Sequence, residues 1–446
     1  MELKDLVHIH KISENGVDVY ALDTGCVIDA EAEAMLQALH SRSTWWIAHH
    51  LKVLEEKGAK NFMKNFYVGY GHKSIWDCGS MTLFVEWLSM LGAKAIQHSP
   101  LYSGQESSTR YIDFSNQKIM NPAWTDLWNE IQEQQRSFYL SILEPLKAHL
   151  KEQYPLKEWE NESTYDKAIS AKAFDIARWF LPAWTTTNLA WHSNLRQIAD
   201  RILALRHHPL NEIKQIWETI LDVVEEKYPS SFSHKKYEET EKYMDLAMKD
   251  LYFYEENYTE FEAISSLDEK VLKKYQHLID ARPNEKTELP IFLASAWTVK
   301  FKFLLDFGSF RDVQRHRAVF QQMPLHTDKI GFNQFYIEQL PQELQEKAIQ
   351  HLKDIKEKTD KLNISELERQ YYIPMWYNMT NEIVGNLPAL VYLIELRSTR
   401  FVHPTLRKIA HMMWDYLEKN HNIKMFLDKS EVDFDIKRWN QTIEIK

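Results

Sequence analysis

Cysteine is nearly absent: the 446 residues hold two, Cys26 and Cys78, enough for one bridge at most, so a disulfide framework is excluded. No charged n-region followed by an apolar h-region opens the chain, and a reducing cytoplasm is the expected setting. Long apolar runs are missing too. The longest, Leu387 to Ile394, falls far short of the ~20 residues a membrane span needs, so a soluble protein with no membrane partner is expected. Positive charge is in deficit: 54 Lys and Arg against 64 Asp and Glu leave −10. That balance argues against a nucleic-acid partner and leaves any binding of small anions to local arginine clusters. There is no P-loop and no low-complexity tract, and Gly69-x-Gly71-x-x-Ser74 lacks the third glycine of a dinucleotide fingerprint.

What is present is ordinary for a folded chain: 44% hydrophobic and 26% charged residues, with 15 Trp, 21 Tyr and 21 Phe. The length suggests two to four domains at roughly 100–200 residues each. Val17 to Ile28 alternates and predicts a strand that leads into a helix from Glu31. Met81 to Ile96 carries apolar residues at spacings of three and four, which predicts a helix ending in a polar, serine-rich run. Ile291 to Phe310 predicts a second such helix, ending in Arg311 to Arg317. Downstream, Leu181-Pro182-Ala183-Trp184 precedes Asn194-Leu195, and Ile373-Pro374-Met375-Trp376 precedes Asn386-Leu387 at the same spacing. One plan therefore occurs twice. The expected boundary lies near residue 232, giving repeats over 1–232 and 233–446, and the charged run Tyr228 to Glu256 is expected to be a solvated helix face.

Ser103-Gly104-Gln105-Glu106-Ser107-Ser108-Thr109-Arg110-Tyr111 is the most informative segment. If it is extended, alternation puts Glu106, Ser108 and Arg110 on one side: an acceptor, a hydroxyl and a planar cationic fork. That set suits a nucleotide, with Arg gripping phosphate and Glu holding a sugar hydroxyl or a base N–H. The same residues would equally serve a capped loop that satisfies only its own backbone. Arg315-His316-Arg317 reads as an anion or cofactor-edge site, or as cations capping a helix C-terminus. The adjacent pairs His49-His50 and His207-His208 cannot face one ligand on a helix, and no metal site is expected.

These motifs resemble the flavin-dependent thymidylate synthase family, whose signature is R-H-R-x-x-S-x-N-E-x-S-x-R-Y. The first repeat keeps Ser103, Gln105 (for Asn), Glu106, Ser108, Arg110 and Tyr111. It replaces Arg-His-Arg by Gln97-His98-Ser99, with one residue inserted before Glu106. The second keeps Arg315, His316 and Arg317 but follows them with Ala318 to Met323, which lacks the Ser, Glu and second Ser. Gly71-His72-Lys73-Ser74 with Asp77, and Asn194-Leu195-Arg196, are similar to the family's flavin-contacting elements. Arg397 follows Asn386 as the family's nucleotide-binding Arg follows its Asn, and Pro388 stands where the second repeat would carry the Asn-x-Arg arginine.

The resemblance implies an α+β, mainly helical fold, two repeats each packing long helices on a small antiparallel sheet. It implies methylation of dUMP to dTMP with methylenetetrahydrofolate, NADPH reducing FAD. By motif position Ser108, Arg110 and Arg397 would be catalytic. Gln105, Glu106 and Arg315 would join those three in holding the substrate. His72, Ser74, Asp77, Asn194, Arg196, Arg315, His316, Arg317 and Asn386 would surround the flavin. Family members are homotetramers with shared active sites, so two repeats with opposite losses imply a homodimer in place of the tetramer. A related modification of another uracil nucleotide, or nucleotide binding without turnover, also fits the altered motifs.

Overall fold

In a computed structural model, the described residues are 7–23, 28–41, 47–60, 63, 73–107, 114, 126–233, 236–251, 255, 258–284, 287–322 and 324–430. Two compact units form. One takes the chain through 107 and then 184–252; the other takes 123–183 and 253 onward. Compactness thus does not follow chain order, because the long helices Asp126–Gln153 and Glu162–Ala177 pack in the second unit.

The first unit is built on a sheet of order β1-β2-β3-β5-β4, with β1 Val7–Ile12, β2 Asp18–Asp23, β3 Ser80–Ser89, β4 Ser103–Glu106 and β5 Thr186–Asn194. All its pairings are antiparallel. The helices used below are α1 Ala30–His40, α2 Lys73–Trp76, α3 Met90–Gln97, α4 Leu195–Leu205, α5 Asn211–Lys227 and α6 Glu238–Leu251. Met81, Leu83 and Val85 alternate into the core, as do Leu189 and Trp191, and Trp191 meets Trp217 of α5 edge-on at 5.6 Å. Helix α6, from the charged run, buries Met248 and exposes Glu238 and Glu239, while half-buried Glu241 pairs with Arg206 and His207.

The second unit repeats the scheme. Its sheet runs β6-β7-β9-β8, from Phe261–Ser265, Thr298–Asp306, Asn378–Asn386 and Phe320–Gln322, again antiparallel throughout. Without β1 the two strand orders are the same, as the two expected repeats require. Its helices include α7 Phe307–Gln314, α8 Leu387–Arg397 and α9 Pro404–His421. Val299, Phe301, Phe303 and Leu305 bury one face of β7 under α9, where Phe301 meets Tyr416. Helix Asp126–Gln153 packs on Gln342–Asp360, with Phe138 stacked on His351 at 4.0 Å. The two Pro-containing motifs meet in this unit. Met375 N–H donates to Leu181 O (3.0 Å) and Ala183 N–H to Ile373 O (3.1 Å), a reciprocal pair around Pro182 and Pro374.

Two expected helices are corrected. Met81 to Ile96 is a strand running directly into a short helix, β3 into α3, and Ile291 to Phe310 is a 3-10 helix at Ile291–Ala296 followed by β7, which runs directly into α7. Thr-Val-Lys-Phe-Lys-Phe in β7 alternates strictly, and that period-two pattern outweighs chance spacings of three and four. The strand expected over Val17 to Ile28 is β2, ending at Asp23, and α1 begins at Ala30.

At each strand-to-helix junction the last strand residue caps the helix. Ser89 accepts from Gly92 N–H and Asp306 from Ser309 N–H; Asn194 accepts from Gln197 N–H and Asn386 from Ala389 N–H. Each such cap stabilises by about 1 kcal/mol. Among the described residues no helix is long and apolar enough to cross a membrane.

Glycine in a helix ordinarily costs up to about 1 kcal/mol against alanine. At Gly308 the sign should reverse, because a Cβ there would lie 1.4 Å from the buried Trp179 ring. Gly308→Ala is expected to lower stability by about 1–3 kcal/mol through overpacking. Urea unfolding should show a lower midpoint; an unchanged or higher midpoint would contradict the packing at Trp179.

Candidate functional site

In the first unit the motif segment is extended where it is described: Ser103–Glu106 is β4, paired only to β5. Gly104 sits under a close approach, since a Cβ would lie 2.1 Å from Ala190 O and 2.3 Å from the Tyr102 hydroxyl. That hydroxyl donates to Ala190 O at 3.2 Å, so glycine lets Tyr102 lock the strand edge. Gln105, opposite Ala190, is exposed. Glu106, opposite Leu189, is half-buried and accepts a hydrogen bond from the buried Gln97 of α3 (2.7 Å), which fixes its carboxylate. Ser107 N–H donates to Asn188 O at 2.9 Å. Ser108, Arg110 and His72 lie outside the described residues.

The strand registers revise the alignment of the two halves. Ser80 and Thr298 hold equivalent places opposite Asn194 and Asn386, an offset of 218. Ser89 and Asp306, opposite Thr186 and Asn378, are offset by 217, as are Ser103 and Phe320, opposite His192 and Val384. The extra residue is a bulge in β3 between Val85 and Leu88, not an insertion before Glu106. His98-Ser99-Pro100 therefore stand where the signature has Arg-His-Arg, at its own spacing to Ser103 and Glu106, and Gln97 is freed for its bond to Glu106.

The flavin candidates of this unit gather at the other end of β5. Arg196 reaches Asp77 at 2.7 Å, and both side chains are 38% exposed. Leu195 N–H donates to Gly79 O (3.0 Å), tying the end of β5 to the turn after α2, which carries Ser74. Asn194 spends its side-chain oxygen on the α4 cap, leaving the amide nitrogen to donate. Along β5, Leu189 and Asn194 are about 17 Å apart at ~3.3 Å per residue. Behind the motif, burial and the charges of Lys94 and Arg201 push His98 down to about 4, and burial pushes Lys94 down to about 7. Arg201 donates to Ala95 O at 2.7 Å.

In the second unit Arg315 caps the C-terminus of α7, and Arg315 and Arg317 are exposed. His316 between them is buried and faces inward. Arg397, ending α8, donates through Nε to His316 Nε2 (2.7 Å) and through a terminal nitrogen to Asp312 O (2.6 Å). Arginine can only donate, so His316 accepts at Nε2 and is neutral. Burial, then the Arg397 charge, pushes its pKa down to about 3. Gln321 donates to Val313 O and His316 O, holding the turn. Asn386 caps α8, with Pro388 in its first turn. His316 thus orients Arg397, a contact that sequence reasoning missed, as it missed Gln97 and Asn188; no local pattern marks any of the three.

A serine–histidine–carboxylate grouping occurs at Ser309, His403 and Asp306, but it is not catalytic. Asp306 bonds Thr405 and Ser309 N–H rather than the imidazole, and all four side chains are buried. Among the described residues no group of three His, Cys, Asp or Glu could hold a metal ion.

Residues 28–230 match the family of "Thymidylate synthase complementing protein", which bears out the resemblance read from the motifs. The chain is also similar to UPF0159 proteins. One, of Chlamydia muridarum, is 25% identical, over 84% of this chain and 82% of the relative. That of Chlamydia pneumoniae is 26% identical (86% and 83%), and that of Thermoplasma acidophilum 22% (82% and 87%). These likenesses extend well beyond residues 28–230, across both halves.

The buried His316 yields a pH prediction. Between its ordinary value of 6.5 and about 3, the unfolded chain binds a proton that the folded chain does not, so stability present above pH 6.5 is lost as pH falls through that window. His316→Gln keeps an acceptor for Arg397 and removes the titration. Its urea midpoint should fall less than that of the parent between pH 6.5 and 4; parallel curves would mean that His316 is not a buried neutral base.

Proposed function

Because residues 28–230 match the family of thymidylate synthase complementing proteins, we propose that the chain reductively methylates dUMP to dTMP with methylenetetrahydrofolate and NADPH, using FAD. The observation that carries this reading is the motif strand itself: β4 is extended, fixed on the sheet through Gly104 and Tyr102, with Glu106 pre-oriented by Gln97. On it, Glu106 holds the deoxyribose or neighbouring backbone and Gln105 occupies the place of the family's Asn; by motif position Ser108 and Arg110 are assigned to the phosphate. Arg397, its guanidinium aimed by neutral His316 and the Asp312 carbonyl, is assigned to the uracil ring. A cation so aimed polarises the pyrimidine without an acid–base pair.

The first unit's polar set suits a flavin dinucleotide. Arg196 and Asp77 are an exposed pair in which an anionic diphosphate can replace the carboxylate; Ser74 and the Asn194 amide are neighbouring donors. His72, and in the second half Arg315, His316, Arg317 and Asn386, are assigned to flavin by motif position alone. When bound, the flavin supplies the reducing equivalents. The protein's work is binding and orientation. We place the reaction in the cytoplasm, in a homodimer that stands in for the family's tetramer, the two halves having arisen by duplication.

Purified full-length protein should be yellow and should release tritium from 5-tritiated dUMP when given methylenetetrahydrofolate and NADPH. Arg110→Ala should weaken dUMP binding by about 1–3 kcal/mol, as expected for a charge-assisted hydrogen bond. Colourless protein that binds dUMP without releasing tritium would refute catalysis. An unchanged dissociation constant in Arg110→Ala would remove that residue from the phosphate.

A further inference from the structure

The bulge in β3 is costly. At its centre Trp87 adopts φ 64°, the left-handed region that a bulky side chain avoids. The equivalent strand β7 pairs with β9 without any shift from Thr298 to Asp306, so the sheet does not require the bulge. What the bulge does is release the Trp87 N–H from the ladder. That N–H donates to the side-chain oxygen of Asn188 on β5 at 2.9 Å. The backbone carbonyl of the same Asn188 accepts from Ser107 N–H at 2.9 Å, at the residue where the motif leaves β4 for Ser108. One side chain and its own peptide thus join the strained bulge to the exit of the motif strand. The second half supplies an internal comparison. The counterpart of Asn188 is Thr380, paired regularly with Leu304, and that half has neither the bulge nor the Glu-x-Ser-x-Arg motif.

We propose that Asn188 is a positioning residue: by clamping the Trp87 bulge on one side and Ser107 on the other, it fixes the end of β4 next to Glu106, and so the nucleotide affinity of this strand. The proposal rests on the reading of this segment as the dUMP site. The amide is matched to the task because its oxygen accepts from one strand while its own peptide oxygen accepts from the other; an apolar residue of the same size keeps only the second contact.

The test uses full-length Asn188→Leu and Asn188→Asp, the latter keeping a side-chain acceptor. Two quantities are read in each: the dUMP dissociation constant, and hydrogen exchange of the peptide containing Ser107. Asn188→Leu should weaken dUMP binding roughly fivefold to tenfold, the scale of one hydrogen bond, and speed exchange at Ser107. Asn188→Asp should restore both towards the parent. Should the parent bind no dUMP, the functional reading fails, and the exchange arm still decides the clamp. Parental exchange at Ser107 in Asn188→Leu overturns the proposal, as does a parental dissociation constant where the parent binds. Equal loss in Asn188→Asp and Asn188→Leu, with equally lowered melting temperatures, would reduce Asn188 to a structural role and also overturn it.

Discussion

The antiparallel pairing of one long strand with another that ends in a capping asparagine is the constraint on which each half depends. Ser80 stands opposite Asn194 and Thr298 opposite Asn386, and both strands of each pair pass without a loop into helices. A residue that ends a strand and caps a helix must satisfy two geometries together, so Ser89, Asp306, Asn194 and Asn386 fix where every following side chain falls. Buried carboxylate chemistry reinforces the first cap of each half. Glu212 accepts from both the N–H and the hydroxyl of Ser89, and Thr405 donates to Asp306. In low dielectric such paired groups are strongly specifying, because leaving one unpaired costs about 1–3 kcal/mol.

On this shared frame the halves differ in what they display. The first carries an edge strand whose Glu106 is fixed by Gln97, with Tyr102 bonded to Ala190 O at one end and Ser107 N–H to Asn188 O at the other, beside a strained tryptophan. The second has a regular sheet and concentrates its chemistry at the ends of α7 and α8, where a buried neutral histidine aims an arginine. Desolvation dominates the titration of His98 and of His316, lowering both, so these imidazoles are neutral rather than cationic near pH 7, and His316 accepts from Arg397.

Part of this was legible in the sequence. The spacing of Trp184 and Asn194 to Trp376 and Asn386 pointed to the recurrence, and of the two conformations open for the polar run the extended one is found at 103–106. The motif residues pointed to the family whose model matches residues 28–230. Secondary structure was misread where a strand enters a helix without a turn, since no Pro marks β3 into α3 or β7 into α7 and the nearby Gly92 and Gly308 lie inside the helices rather than at a break. The single-residue slip was misplaced because a bulge has no sequence signature of its own; only the strand registers locate it at Glu86 and Trp87. Contacts such as Gln97 to Glu106 and Arg397 to His316 join residues of different elements, and no local periodicity encodes them.

The central claim is that the edge strand β4, held in this register, is where the nucleotide binds. Hydrogen exchange of the full-length protein with and without saturating dUMP addresses it directly. Slowed exchange in the segment Ser103 to Ser107, together with the Asn188 region of β5, is the predicted result. A protein that binds dUMP while exchange in that segment stays unchanged, with protection confined elsewhere, would contradict the account.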